Sequence, residues 1–399
     1  MWLSDLKIVL PESILERGSV RIEDGVIAEI IEGPAPVDVP HMHGLTLIPG
    51  LIDVHGDMLE RDVQPRPSAR FPTEMGLIEL DKRLAGTGIT TAYAAISFAW
   101  RENDLRSQES ATEMIQTINH LQERLLIDMR VHARFEVTNP GTAQVLQPLL
   151  EQDMVHLVSI MDHTPGQGQY KNVDRYIEFM HKWLGVDIDT LGGFKEQVLS
   201  KVKDNIETYA AQPRNWAVVE DVLRVAIAHG VPVASHDDDT TEKVQMQAAM
   251  GVTISEFPVS REAALAAHTH GMKVVMGAPN AYRGESTSNN LSAMEAIQEG
   301  LVDILATDYY PAAMLHVAFK LAHENILPLY ESVKLVSTNA ADVMGLHDRG
   351  RITVGQVADL VLVNESSEHP RVHGTIRHGT PIYWDSHLMT VAQMQQSFM

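Results

Sequence analysis

The sequence predicts an α/β protein: a (β/α)₈ barrel of the TIM type carrying a small β-sandwich domain formed by both chain ends. Three observations lead there. Apolar, strand-like segments alternate with helical patterns from residue 51 to 342. Metal-capable side chains recur at the C-terminal ends of those segments, where barrel enzymes keep their sites. Residues 1–50 and 343–399 are instead rich in strands and turns, as expected of a second, smaller domain that receives both ends of the chain.

Taken in order, Lys7-Ile8-Val9-Leu10, Ser19–Ile22 and Val26–Ile30 read as strands, with Glu23-Asp24-Gly25 turning between the last two. The barrel strands are expected at Gly50–His55, Thr90–Ser97, Arg130–Val137, Val155–Asp162, Val231–His236, Thr253–Phe257, Lys273–Gly277 and Asp303–Ala306. Helical patterns intervene at Glu74–Ala85, Gln108–Leu126, Trp216–His229, Arg261–His270 and Leu291–Gly300. A polar, helix-rich insertion from about 168 to 213 follows the fourth strand, where a barrel would carry a lid. Ala358–Val363 and Gly374–Gly379 return the chain to the small domain. An open doubly wound sheet is the structural alternative, but no G-x-G-x-x-G follows a first strand.

Composition narrows the chemistry. The chain of 399 residues has no cysteine, which excludes disulfides, thiolate metal sites and cysteine nucleophiles. Any metal must be held by imidazole and carboxylate, a donor set suited to zinc or manganese. The net charge of −22 speaks against a nucleic-acid partner. No apolar run is long enough to span a bilayer and no basic segment leads into an apolar core at the N-terminus, so no membrane association and a cytoplasmic location are expected.

His55 and Asp57 lie one residue apart, and on a regular strand such a pair points to one face. Alone this is a weak signal, since a strand–turn junction with Asp57 capping a helix explains it as well. Glu136, His163, His236 and Asp308 at the ends of strands 3, 4, 5 and 8 make it stronger. One arrangement has Glu136 bridging two divalent ions, with His55, Asp57 and Asp308 completing one and His163 and His236 the other; a single ion is the alternative. Asp308 is the candidate general base. One of Asp237, Asp238 and Asp239 is expected to orient an imidazole, and Glu256 on strand 6 is a further carboxylate within reach. Arg61, Arg66 and Arg70 in the proline-stiffened loop after strand 1, with Lys171, Arg283 and Arg134, are candidates for phosphate oxygens. His268 and His270 sit in a helical stretch and His41 and His43 in a loop; neither pair is expected to bind metal.

With these residues in view, the chain resembles the amidohydrolase superfamily. The resemblance rests on Ile48-Pro49-Gly50-Leu51-Ile52-Asp53-Val54-His55, on Asp308, and on the exit stretch Ser337–Leu346 continuing through Gly350-Arg351-Ile352 and Gly355–Leu360. Within it, His55–Arg61 with Pro65-Arg66-Pro67, Met161–Gln167, Ala234–Asp238 and Gly277–Asn280 resemble the diphosphatases of bacterial phosphonate breakdown. The resemblance implies a divalent-metal hydrolase, with one or two ions, acting on α-D-ribose 1-methylphosphonate 5-triphosphate and releasing pyrophosphate. The partner it implies is a small phosphorylated sugar, and a homo-oligomer stays open. Departures from the superfamily pattern are Asp57 in place of a second strand-1 histidine and no evident bridging lysine on strand 4. C–N hydrolysis by the same machinery is the competing activity. A non-catalytic binding module is the other, and the intact set of candidate ligands argues against it.

Overall fold

The computed structural model describes residues 1–66, 68–98, 105–164, 213–286, 290–365, 369–386 and 388. The expected insertion, and Lys171 with it, lies outside the described residues.

The first four strands are β1 (Trp2–Val9), β2 (Ile14–Glu23), β3 (Val26–Glu32) and β4 (Thr46–Pro49). Eight follow: β5 (Leu51–Gly56), β6 (Ile89–Phe98), β7 (Asp128–Glu136), β8 (Leu157–Met161), β9 (Val233–His236), β10 (Ile254–Glu256), β11 (Lys273–Gly277) and β12 (Ile304–Ala306). The last three are β13 (Leu360–Asn364), β14 (Arg371–Arg377) and β15 (Thr380–Trp384).

Strands β5 to β12 form one parallel sheet in sequence order, the arrangement read from the alternating pattern. Their near-continuous apolar runs follow from burial on both faces: all ten residues of β6 are buried. On β7, Val131, Ala133 and Phe135 pack outward against the helices. Inside, Tyr93, Leu157, Ala234, Ile254, Val275 and Ile304 form a separate core, closed at the strand N-termini by Ala340, Ala341 and Met344. Side-chain caps start the helices where the sequence supplies them, as with Ser107 accepting from the Ser110 N–H and Ser260 from the Ala263 N–H.

The sheet closes on itself between β12 and β5. The Asp308 N–H donates to the His55 carbonyl (2.9 Å) and the Asp57 N–H to the Asp308 carbonyl (2.8 Å). Lower down, the buried Asp53 carboxylate accepts from the Thr307 N–H (2.9 Å) and hydroxyl (2.6 Å). At the far end the chain at 335–336 fills the gap, Leu305 N–H donating to Leu335 O and Ile52 N–H to Val336 O.

The two chain ends meet as expected, although a two-sheet sandwich is not what their hydrogen bonds build. All seven strands join one mixed sheet in the order β15-β14-β13-β4-β1-β2-β3, with β1 and β4 parallel. The sheet curls until its distal turns touch: Ala358 N–H donates to Gly25 O and Gly379 N–H to Ala358 O. Gly25 (φ +80) lies where a Cβ would sit 3.1 Å from the His378 carbonyl. Leu3, Leu6, Ile8, Val20, Leu47 and Leu360 fill the resulting core.

Candidate metal centre

The C-terminal mouth of the barrel gathers the candidate residues. His55 is placed by an irregularity. The pairing of β5 with β6 shifts register between Asp53 and Gly56. Ile52 and Val54 already face the barrel interior, so on a regular strand His55 would point outward; the shift turns it in as well. Asp57 then lies beyond the strand, at the N-terminus of the helix Met58–Val63, where its side chain makes no capping bond. The two side chains meet, His55 Nε2 and Asp57 Oδ1 being 3.4 Å apart, through the bulge and the helical turn rather than strand alternation. Gly56 between them has no room for a side chain, since a Cβ would come within 2.8 Å of Asp53 Oδ2.

Strand β7 sends His132, Arg134 and Glu136 into the barrel. The His132 ring shares a hydrogen bond with the Ser159 hydroxyl (2.9 Å), and burial pulls its pKa down to about 3, so this imidazole is neutral. Arg134 is buried. Its Nη1 donates to Asp57 Oδ1 at 2.9 Å, its Nη2 stands 3.5 Å from His236 Nε2, and its Nε has no partner among the described residues. Burial would raise the Asp57 pKa, but Arg134 first, then His55, hold it well below the ordinary value. Both oxygens of Glu136 serve His163, accepting its N–H (3.1 Å) and meeting its ring Nδ1 (3.0 Å).

Glu256 lies between two imidazoles. Its Oε2 is 2.7 Å from His236 Nδ1 in a well-aligned hydrogen bond. Its Oε1 is 2.8 Å from His55 Nδ1 but off the hydrogen-bond direction, leaving both atoms without a hydrogen-bond partner among the described residues. Burial opposes ionisation of Glu256, yet His55 beside it and the hydrogen bond from His236 keep its pKa well below the usual range. The rings of His55 and His236 stack at 5.6 Å, and Phe257 packs edge-on to both. His163 stands 5.7 Å from His236.

Asp237, Phe257 and Asp308, each just beyond a strand end, take φ of +52°, +53° and +54°. Asp enters this region at little cost; a bulky Phe does so under strain, a feature that collects at functional sites. Asp237 Oδ2 is buried, 3.7 Å from His236 Nε2, and has no hydrogen-bond partner among the described residues. Asp238 is anchored by the Ser235 and Ser255 hydroxyls, and Glu256, not one of the three aspartates, takes the His236 Nδ1 hydrogen. The Asp308 pKa is pushed up to about 7, by burial first and the Asp57 charge second.

Among the described residues two groups bring three donor atoms within 4.8 Å of one another: His55, His236 and Glu256, and His163, His236 and Asp237. Asp57, Glu136 and Asp308 belong to neither group. All six sequence candidates reach the same mouth, but Asp57 is engaged by a guanidinium and Glu136 by an imidazole. Glu256 and Asp237 were legible only as carboxylates near strand ends, Asp237 within an acidic run. The donor chemistry fits a divalent ion, and Oδ2 of Asp237 is a buried carboxyl oxygen with no hydrogen-bond partner among the described residues.

The predicted cations divide. Arg61 lies over the Tyr309 ring at 5.8 Å, and Arg283 bonds to both Tyr309 and Glu285 (2.8 Å), so both flank the residue after Asp308 at the rim. Arg66 is exposed. Arg70 turns away to Glu113 (3.0 Å) and Ser110 (3.1 Å) on the helix Gln108–Leu121. His268 pairs with Asp303 (3.4 Å) and His41 with Asp5 (2.7 Å), and neither pair belongs to the groups of donors at this mouth.

A (β/α)₈ barrel with imidazoles and carboxylates converging at the strand C-termini defines the class of metal-dependent barrel hydrolases. The amidohydrolase family model matches residues 46–382, and the chain belongs to that family. It is 33% identical over 388 residues to the alpha-D-ribose 1-methylphosphonate 5-triphosphate diphosphatase of Escherichia coli (strain K12), covering 96% of this chain and 100% of the relative. A dihydroorotase of Geobacter sp. (strain M21) is 24% identical, covering 88% of this chain and 85% of the relative. Among solved structures, a dihydropyrimidinase from Brevibacillus agri NCHU1002 shares the fold with a TM-score of 0.65 at 12% identity, covering 96% of this chain and 95% of that one. An N-acetyl-D-glucosamine-6-phosphate deacetylase from Mycobacterium smegmatis does so with a TM-score of 0.65 at 16% identity, covering 96% and 100%.

Proposed function

We propose that this chain is a metal-dependent diphosphatase that cleaves the phosphoanhydride of a ribose 1-methylphosphonate 5-triphosphate, releasing pyrophosphate. The observation that carries the reading is the full-length likeness to the Escherichia coli diphosphatase, at 33% identity over 96% of this chain. The arginines support it: Arg61 and Arg283 sit at the rim beside Asp308, and Arg66 in the same loop is exposed.

We assign His163, His236 and Asp237 as holders of a divalent ion, zinc or manganese. Glu256 takes the His236 Nδ1–H, which fixes the tautomer and leaves Nε2, 3.7 Å from Asp237 Oδ2, as the ligand atom. When bound, the ion supplies Lewis acidity and lowers the pKa of water. Asp308, with its pKa raised toward neutrality, accepts the proton from the attacking water. Arg61, Arg66 and Arg283 orient the triphosphate and meet the charge that grows on the departing pyrophosphate. The cleavage consumes one water, breaks one P–O bond and leaves a sugar 5-phosphate.

The test is pyrophosphate release from the sugar triphosphate by purified protein loaded with Mn²⁺ or Zn²⁺, run beside ring opening of dihydroorotate. Pyrophosphate at a turnover rate is expected. Ring opening without pyrophosphate release would move the chain to C–N chemistry.

A further inference from the structure

The geometry points to Arg134 as a built-in cation that fills one of the two positions a metal pair would occupy, so that the centre holds a single divalent ion. The inference rests on the metal-dependent reading above and concerns how many ions it requires.

Three observations carry it. First, the corner formed by His55 and Asp57, one half of the two-ion arrangement expected from sequence, already receives a full positive charge: Arg134 Nη1 lies 2.9 Å from Asp57 Oδ1. Second, this charge cannot swing out. Arg134 is paired on both sides within the barrel, with Ser97 on β6 and Ser159 on β8, and it alternates with Ala133 and Phe135, which pack outward. Its side chain is 6% exposed. Third, the two groups of donors that lie close enough for a shared ion have His236 in common. A neutral imidazole has one lone pair, and the Nδ1 hydrogen of His236 is committed to Glu256 at 2.7 Å. The Nε2 lone pair, which meets Arg134 Nη2 at 3.5 Å, can therefore serve one group at most, that with His163 and Asp237, and a second ion would have to take the His55–Asp57 corner, which Arg134 fills.

A guanidinium differs from a second ion in what it does. It attracts phosphoryl oxygens and offers directional N–H donors, but it cannot acidify a water. The Nε of Arg134, buried and without a partner among the described residues, is a donor still unspent. Arg134 thus acts as a positioning residue: it holds Asp57 and brings positive charge beside the ion.

The experiment is metal counting together with electron paramagnetic resonance on protein saturated with Mn²⁺, without substrate. One Mn²⁺ per chain and the six-line spectrum of an isolated ion are expected. Arg134→Met, which keeps the length and removes the charge, is expected to take up a second ion and show an exchange-coupled spectrum. Two coupled ions in the unaltered protein overturn the proposal, as does a single ion in a folded Arg134→Met. Asp57→Asn guards against a misfolded variant. Because Asp57 serves the guanidinium, its Mn²⁺ affinity should stay within about threefold of the unaltered protein, whereas Asp237→Asn should lose about tenfold or more. A large loss in Asp57→Asn would make Asp57 a ligand and overturn the proposal. Failure of the diphosphatase reading would appear in the pyrophosphate assay and leave these counts unaffected.

Discussion

Glu256 and Asp308 are both buried carboxyls at the barrel mouth, and their surroundings drive them apart. Histidines beside Glu256 keep it ionised, while burial and the Asp57 charge raise Asp308. Different roles follow, and so do different phenotypes. Asp308→Asn should lower kcat by about 10²–10⁴-fold while leaving metal content and melting temperature near those of the parent; normal turnover would remove Asp308 from the reaction. Glu256→Gln can no longer hold His55 and His236 as an anion. Metal affinity should fall about 10–100-fold, read from a chelator competition, with activity restored by excess metal. At this scale the sequence marked His55, Asp57, Glu136, His163, His236 and Asp308 because each ends a strand. It did not distinguish a side chain that faces an ion from one that braces a neighbour. That depends on which nitrogen of a ring meets which oxygen, and spacing along one strand carries no such information.

Individual elements were legible where two covered faces left a clear apolar run. All eight barrel strands lie at the expected segments, and the helices Trp216–Ala228 and Arg261–Thr269 match their periodic patterns. The helix Ala313–His323 was not singled out, although His316, Lys320 and His323 recur at the i, i+4, i+7 spacing of one polar face. The bulge before Gly56 was invisible, because it exists only relative to the neighbouring strand. Closure of the sheet depends on Asp53, which accepts from the His55 N–H and from both Thr307 donors. Asp53→Ala would strand these buried donors. A loss of about 3 kcal/mol in urea denaturation is expected, and an unchanged midpoint would show that the strands close without this latch.

At the level of the whole molecule, the segment that leaves the barrel for the small sheet is tied to the barrel floor by Arg349. Its Nη1 reaches Asp128 Oδ2 at 2.9 Å, at the start of β7. Burial would raise the Asp128 pKa, but Arg130 and Arg349 outweigh it and hold the carboxyl below its ordinary value. Asp128 therefore adds stability that is complete above the unfolded pKa near 4 and is lost as pH falls through the lowered folded value. Arg349→Met leaves a buried carboxylate short of a partner, and a cost of about 3 kcal/mol at pH 7 is expected. The gap between parent and variant should narrow below about pH 4; a gap independent of pH would mean that Arg349 acts through packing alone. The excess of acidic residues, net −22, also predicts a salt response. Screening the long-range repulsion of a polyanion should raise kcat/KM as ionic strength rises from low values toward about 0.15 M; a fall would mean that the rim arginines dominate the approach.

By itself the sequence determined the alternation of strands and helices, the meeting of the two chain ends in a β-rich unit, and the strand ends that carry imidazoles and carboxylates. These are local properties: periodicity, turn residues and the chemistry at the end of an apolar run. Only the tertiary structure decided that the terminal strands form one curled sheet, that Glu256 braces two imidazoles, and that Arg134 meets Asp57 inside the barrel. Each of these joins residues far apart in the chain. The physical reason is that hydrogen bonds and ion pairs are fixed by angles and by distances of about 3 Å, which the register between strands sets and no single strand records.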